Sequence, residues 1–109
     1  MDHSYIRAQI TKLVDRTSYP DIVECRFIDR FGHEWVVIDK LPVVTDAHLG
    51  SDSVFPQPAV IACKIVSRSS DASGRDIVEV ELGPEMESQD GVTRFEVFAD
   101  QLTKAPWSL

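Results

Sequence analysis

The sequence predicts a mainly all-β protein: a small six-stranded antiparallel barrel of the OB or SH3-like kind, with a long loop or short helical turn between strands 3 and 4. Three observations carry this. Residues 22–39, IVECRFIDRFGHEWVVID, are two apolar-rich runs joined at Phe31-Gly32, the pattern of a long β-hairpin. Further alternating or β-branched runs follow, separated by clusters of Gly, Pro, Asp and Ser. Six strands with one long insertion after the third match the layout of such barrels. With 109 residues, 1–109 reads as one small β-barrel domain, large enough to bury a core without disulfide or metal staples.

The first strand is expected over residues 5–14. Ile6, Ala8 and Ile10 share one face, Arg7, Gln9 and Thr11 the other, and Leu13-Val14 break the alternation at a bulge or strand end. A helix over 6–14 competes, because Ile6, Ile10, Leu13 and Val14 also make a helical stripe. In the second strand Val23, Cys25 and Phe27 point to the core, while Glu24, Arg26 and Ile28 point away. The turn at residues 29–32 then uses Gly32 for positive φ. The third strand, residues 34–38, is apolar on both faces through Trp35, Val36, Val37 and Ile38, so it is expected at the barrel's centre or covered on both sides, with Pro42 ending it.

Residues 43–58 are the long insertion, with a helical turn near 45–49 capped by Thr45, and with Val54 and Phe55 pinning it to the barrel. Strand 4 is expected at 59–66, followed by a serine-rich hairpin loop. Strand 5, residues 76–82, puts Val78, Val80 and Leu82 inward and Ile77, Glu79 and Glu81 outward. After Gly83-Pro84 and an acidic connector at 85–91, strand 6 covers 92–99 with Phe95, Val97 and Ala99 on one face. Arg94 is placed to pair across strands with Glu79 or Glu81, and Trp107 in the tail to fold back as a plug.

Net charge is −7, and the excess is local. Residues 71–100 hold nine acids (Asp71, Asp76, Glu79, Glu81, Glu85, Glu87, Asp90, Glu96, Asp100) against Arg75 and Arg94, whereas residues 1–70 are nearly balanced. Such a field repels phosphate backbones and attracts basic partners, which counts against nucleic acid. No apolar run is long enough for a membrane-spanning helix and the N-terminal residues lack signal-peptide character, so a cytoplasmic protein with Cys25 and Cys63 as buried reduced thiols is expected.

Catalytic signals are weak. Asp46 with His48, and His33 and His3 elsewhere, fall short of the three or four converging ligands a metal needs, so neither metal nor cofactor is expected. Cys25 with His33 lacks a group to orient the imidazole, and Glu79 with Glu81, though spaced like hydrolase carboxylates, reads as the polar face of a strand. No phosphate loop or nucleophile motif occurs.

The segments VECRF (23–27), IDKLPV (38–43), FPQ (55–57) followed by IACK (61–64), and ESQDGVTRFEVFADQL (87–102) together resemble a loose group of small uncharacterised bacterial β-rich proteins. In size and charge the chain also resembles immunity proteins of bacterial toxin systems, acidic domains that neutralise a basic partner. The leading expectation is a non-enzymatic domain whose acidic face, built from Glu79, Glu81, Glu85, Glu87, Asp90 and Glu96 with Ile77 and Phe55 as apolar anchors, engages a basic protein. The alternatives are two. One is a small-ligand or oligonucleotide-binding barrel that stacks ligands on Trp35 or Trp107 beside Arg26 and Arg30, with the 43–58 loop as a lid. The other is a structural homodimer formed through the apolar strand at 35–38.

Overall fold

In the computed structural model, β1 (His3–Asp15) is the strand on which the rest of the protein hangs. The structure describes residues 3–17, 19–50 and 52–104, with His3 as backbone only; Trp107 and the tail expected to plug the barrel lie outside the described residues. Along one edge β1 pairs with β4 (Gln57–Ser70), from His3 opposite Lys64 to Ile10 opposite Gln57. Along the other edge its C-terminal half pairs with β2 (Ile22–Ile28) and its N-terminal half with β7 (Leu102–Thr103). Register shifts at Ile10/Lys12 and Leu13/Asp15 bend β1 so that it serves both partners, in line with the expected break in alternation. The helical alternative for this segment is thereby excluded.

Six strands run in the order β3-β2-β1-β4-β5-β6, all antiparallel, with β3 at Glu34–Lys40, β5 at Asp76–Leu82 and β6 at Arg94–Phe98. The sheet curls into a half-barrel and its ends are tied together by single hydrogen bonds. Arg30 N donates to Glu96 O at 2.9 Å, Gln89 N to Val36 O at 2.7 Å, and the Gln101 amide to Ile28 O at 2.7 Å. Inside lie Ile6, Ile10, Val23, Cys25, Val37, Ile61, Val80 and Val97, all fully or almost fully buried. Each such aliphatic side chain contributes about 1.5–3 kcal/mol by leaving water. The inward alternations expected for β1, β2 and β5 all fall in this core.

Several expectations are corrected. β3 is not central: it ends the strand order, Val37 alone on it is fully buried, and Ile38 is 37% exposed. Its apolar run is shared between an inner face (Trp35, Val37) and an outer face (Val36, Ile38), and its free edge is covered locally by Ser88 and Gln89. The helical turn between β3 and β4 is α1 (Leu41–Val44). Pro42 therefore opens a helical turn, where its missing N–H is harmless, and Thr45 closes that turn by donating its N–H to Leu41 O instead of capping the start. Val54 is exposed while Phe55 packs on the core. β4 runs four residues beyond its expected end, because β5 keeps pairing with the polar Ser67–Ser70 arm.

Candidate functional site

The outer face of β4-β5-β6 is where the acidic stretch comes together, and register decides what it becomes. In one cross-strand row Lys64, Glu81 and Arg94 lie side by side, with Arg94 Nε donating to Glu81 at 2.9 Å and Lys64 Nζ 3.7 Å from its other oxygen. These cations hold the Glu81 carboxyl below the usual glutamate range, chiefly through the Arg94 hydrogen bond. The next row is Ser67, Glu79 and Glu96. Ser67 Oγ donates to Glu79 at 3.1 Å, Arg94 comes within 3.9 Å of Glu79, and Arg30 Nε reaches Glu96 at 2.8 Å from the β2–β3 turn. Three carboxylates thus meet three cations, and the strand face carries no excess charge.

The third row corrects an assignment. Ile77, expected as an exposed anchor, is only 3% exposed; it pairs directly with Phe98, whose ring lies 3.4 Å beneath the Arg75 guanidinium. Phe55, the other expected anchor, is half-buried against the core. Neither is presented as a protruding knob.

Free negative charge lies instead on the β5–β6 connector. Glu85, Glu87 and Asp90 are exposed and make no ion pair with any described residue. The connector is nevertheless well fixed. Gly83-Pro84-Glu85-Met86 forms a tight turn closed by Met86 N donating to Gly83 O at 3.0 Å, with Glu85 at φ 62°, a left-handed conformation that glycine takes more easily. A Glu there costs roughly 1–2 kcal/mol relative to a relaxed backbone. Buried Ser88 then organises the second half: its Oγ accepts from Val92 N at 3.0 Å and Asp90 N at 3.2 Å.

Between this connector, the middle of β4 and the end of β5 runs a groove of about 690 Å³, open along one side. Ala62, Leu82, Pro84 and Met86 give it apolar walls; Lys64, Thr93 and three of the expected acids, Glu81, Glu85 and Glu87, give it polar ones. Nothing in the sequence pattern marks Lys64, Thr93 or Met86, since only the cross-strand register and the folded-back turn place them here. The one sequence signal was Gly83-Pro84 followed by a glutamate at the turn position that prefers glycine.

Of the stacking alternative, the described residues Trp35, Arg26 and Arg30 are not brought together, and Trp107 lies outside the described residues. Arg26 pairs in register with Val36 and Phe27 with Trp35, so Arg26 and Trp35 face opposite sides of the β2–β3 ladder. Arg26 is held by Glu24 and Glu34, and Arg30 by Glu96 while it covers the exposed Phe31 ring at 4.1 Å. Trp35 donates its indole N–H to Asp29 at 2.8 Å and packs edge-on to Phe95 and His33, with ring centroids at 4.9 and 4.4 Å. The long loop forms a second groove of about 440 Å³ between α1 and the 19–21 turn, whose Tyr19 is 95% exposed; Asp46 and His48 line it. Among the described residues no group of three or more His, Cys, Asp or Glu is placed to hold a metal ion. Cys25 and Cys63 are free and buried; burial pushes their thiols up to about 12 and about 11, with Asp39 and Glu24 adding to the effect at Cys25. No described helix is long and apolar enough to cross a membrane.

Comparison with protein-family models, with curated proteins and with solved structures finds no match to this chain.

Proposed function

We propose that this chain is a non-enzymatic, cytoplasmic protein-binding domain that engages a basic protein through the β5–β6 connector. Its most concrete form is an immunity-type inhibitor of a basic toxin. The observation that carries the reading is the division of charge: Glu79, Glu81 and Glu96 are neutralised by their neighbours, whereas Glu85, Glu87 and Asp90 are not. The backbone that carries these carboxylates is already ordered, so binding costs side-chain freedom alone, and the carboxylates steer encounter and pair with lysines or arginines that in the partner grip a substrate phosphate. The acidic surface is thus narrower than the sequence implies, and it centres on the connector.

Affinity capture from lysate tests this. The wild-type chain retains a basic protein that elutes with salt, and the Glu85→Gln, Glu87→Gln, Asp90→Asn triple variant does not. Equal recovery on both chains removes the reading.

A second reading, a small-ligand site, is favoured by the groove between α1 and the 19–21 turn, where the Tyr19 ring stands open to solvent. Quenching of tyrosine emission by a metabolite panel, lost in Tyr19→Leu, supports it; no response across the panel counts against it.

A further inference from the structure

We infer that the groove between the 83–86 turn, the middle of β4 and the end of β5 receives an extended, arginine-bearing segment of the basic partner. This inference rests on the reading above and says where that partner's anchor goes. Neither apolar residue expected to project, Ile77 or Phe55, is presented as an anchor or lines this groove, so the concave surface beside the connector is the feature left for a partner. At about 690 Å³ the groove exceeds one side chain and suits a short stretch of extended chain.

Charge complementarity selects the occupant. Lys64, the one cation lining the groove, pairs with Glu81, which Arg94 also approaches from the strand face. Glu85 and Glu87 have no such match, and the groove's unbalanced charge is therefore negative. Apolar surface from Ala62 and Pro84, with a small exposed part of the core residues Leu82 and Met86, beside free carboxylates suits a side chain with a long aliphatic stem and a cationic head. Arginine fits better than lysine, because its planar fork bonds carboxylates in pairs and it is less strongly hydrated. The turn that carries Glu85 is set before any ligand arrives, and glycine would hold it with less strain but without the carboxylate.

The test is an amide chemical-shift titration of the isotopically labelled full chain with an alternating Gly-Arg hexapeptide at low salt, with the Gly-Lys and Gly-Glu hexapeptides as comparisons. Expected shifts concentrate at Ala62, Lys64, Gly83, Met86 and Thr93, with affinity in the order Arg, Lys, Glu. Ala62→Leu fills the groove without altering charge, and Thr93→Trp does so from an exposed position that leaves the core untouched. Each is expected to weaken the Gly-Arg peptide about tenfold, the effect of one lost apolar contact surface. Glu85→Gln with Glu87→Gln keeps the shape and is expected to weaken it at least as much. Full affinity in both groove-filling variants with loss in the double glutamine variant overturns the groove but leaves the acidic connector as the binding element. Loss in none of them, or no response to any cationic peptide, overturns both.

Discussion

Glu79 and Glu96 stand directly opposite one another across β5 and β6, two carboxylates in one cross-strand pair, and each is held by a different arginine. Like charges so placed destabilise a sheet unless compensated. Arg30 supplies the compensation for Glu96 from the far hairpin, at 2.8 Å, beside the backbone hydrogen bond from Arg30 N to Glu96 O that helps tie the curled sheet's ends together.

Arg30→Met is therefore expected to lower stability by about 0.5–1 kcal/mol, since the pair is partly exposed but its loss also uncovers the Glu79–Glu96 repulsion. Adding Glu96→Gln recovers most of that. Urea unfolding midpoints of the single and double variants check it; strictly additive losses contradict the coupling.

Glu24 predicts an acid limb. Its carboxylate, almost buried on the outer face of β2, accepts from Thr11 Oγ1 and Arg26 Nε, and these bonds, led by the Thr11 hydroxyl, hold it below the usual value of 4.5 despite burial. A carboxyl with a lowered folded pKa binds fewer protons folded than unfolded, so its stabilisation is full above about pH 4.5 and fades as pH falls below it. Glu24→Gln should flatten stability against pH in that range, with Glu81, Asp15 and Asp71, all similarly lowered, leaving a residual slope. Thr11→Val, which leaves the carboxylate short of a donor, is expected to cost about 1–2 kcal/mol at neutral pH. Denaturant titrations from pH 3 to 7 read both effects.

Glu85→Gly separates stability from binding. Relieving the left-handed φ of 62° should raise stability by up to about 1 kcal/mol, while removing one of the unpaired carboxylates weakens capture of the basic partner. A variant that is both more stable and equally effective in binding contradicts a role for this residue.

The two thiols are expected to be inert in the folded chain. With pKa values pushed to about 12 and about 11, and with Cys25 fully buried and Cys63 only 4% exposed at the groove, the two thiols should resist alkylation at pH 8 and react once urea exposes them. Rapid labelling of the native protein contradicts this.

Much of the fold was legible because period-2 alternation reports which side chains share a face: Ile6/Ala8/Ile10, Val23/Cys25/Phe27 and Val78/Val80/Leu82 all lie inward. Alternation does not report what covers the opposite face. The period points Ile77 to solvent, yet Phe98 lies beside it on β6 with Arg75 over that ring. Likewise β3 reads as two-faced and central, but a strand at the end of the sheet keeps half-exposed Val36 and Ile38 once Ser88 and Gln89 protect part of its edge. The charge excess of residues 71–100 was visible in the sequence. Its partition into paired and unpaired carboxylates was not, because the cations that neutralise Glu81 and Glu96 include Lys64 and Arg30, brought in from β4 and the β2–β3 turn.

The most direct measurement of the central claim is the association rate with the captured basic protein, followed against salt for the wild type, the Glu79→Gln variant and the Glu85→Gln, Glu87→Gln, Asp90→Asn variant. The expected result is a steep fall of the wild-type rate with salt, nearly the same fall for Glu79→Gln, and a slow, almost salt-independent rate for the connector variant. If Glu79→Gln flattens the dependence while the connector variant keeps it, the binding charge lies on the strand face and the assignment to the connector is wrong.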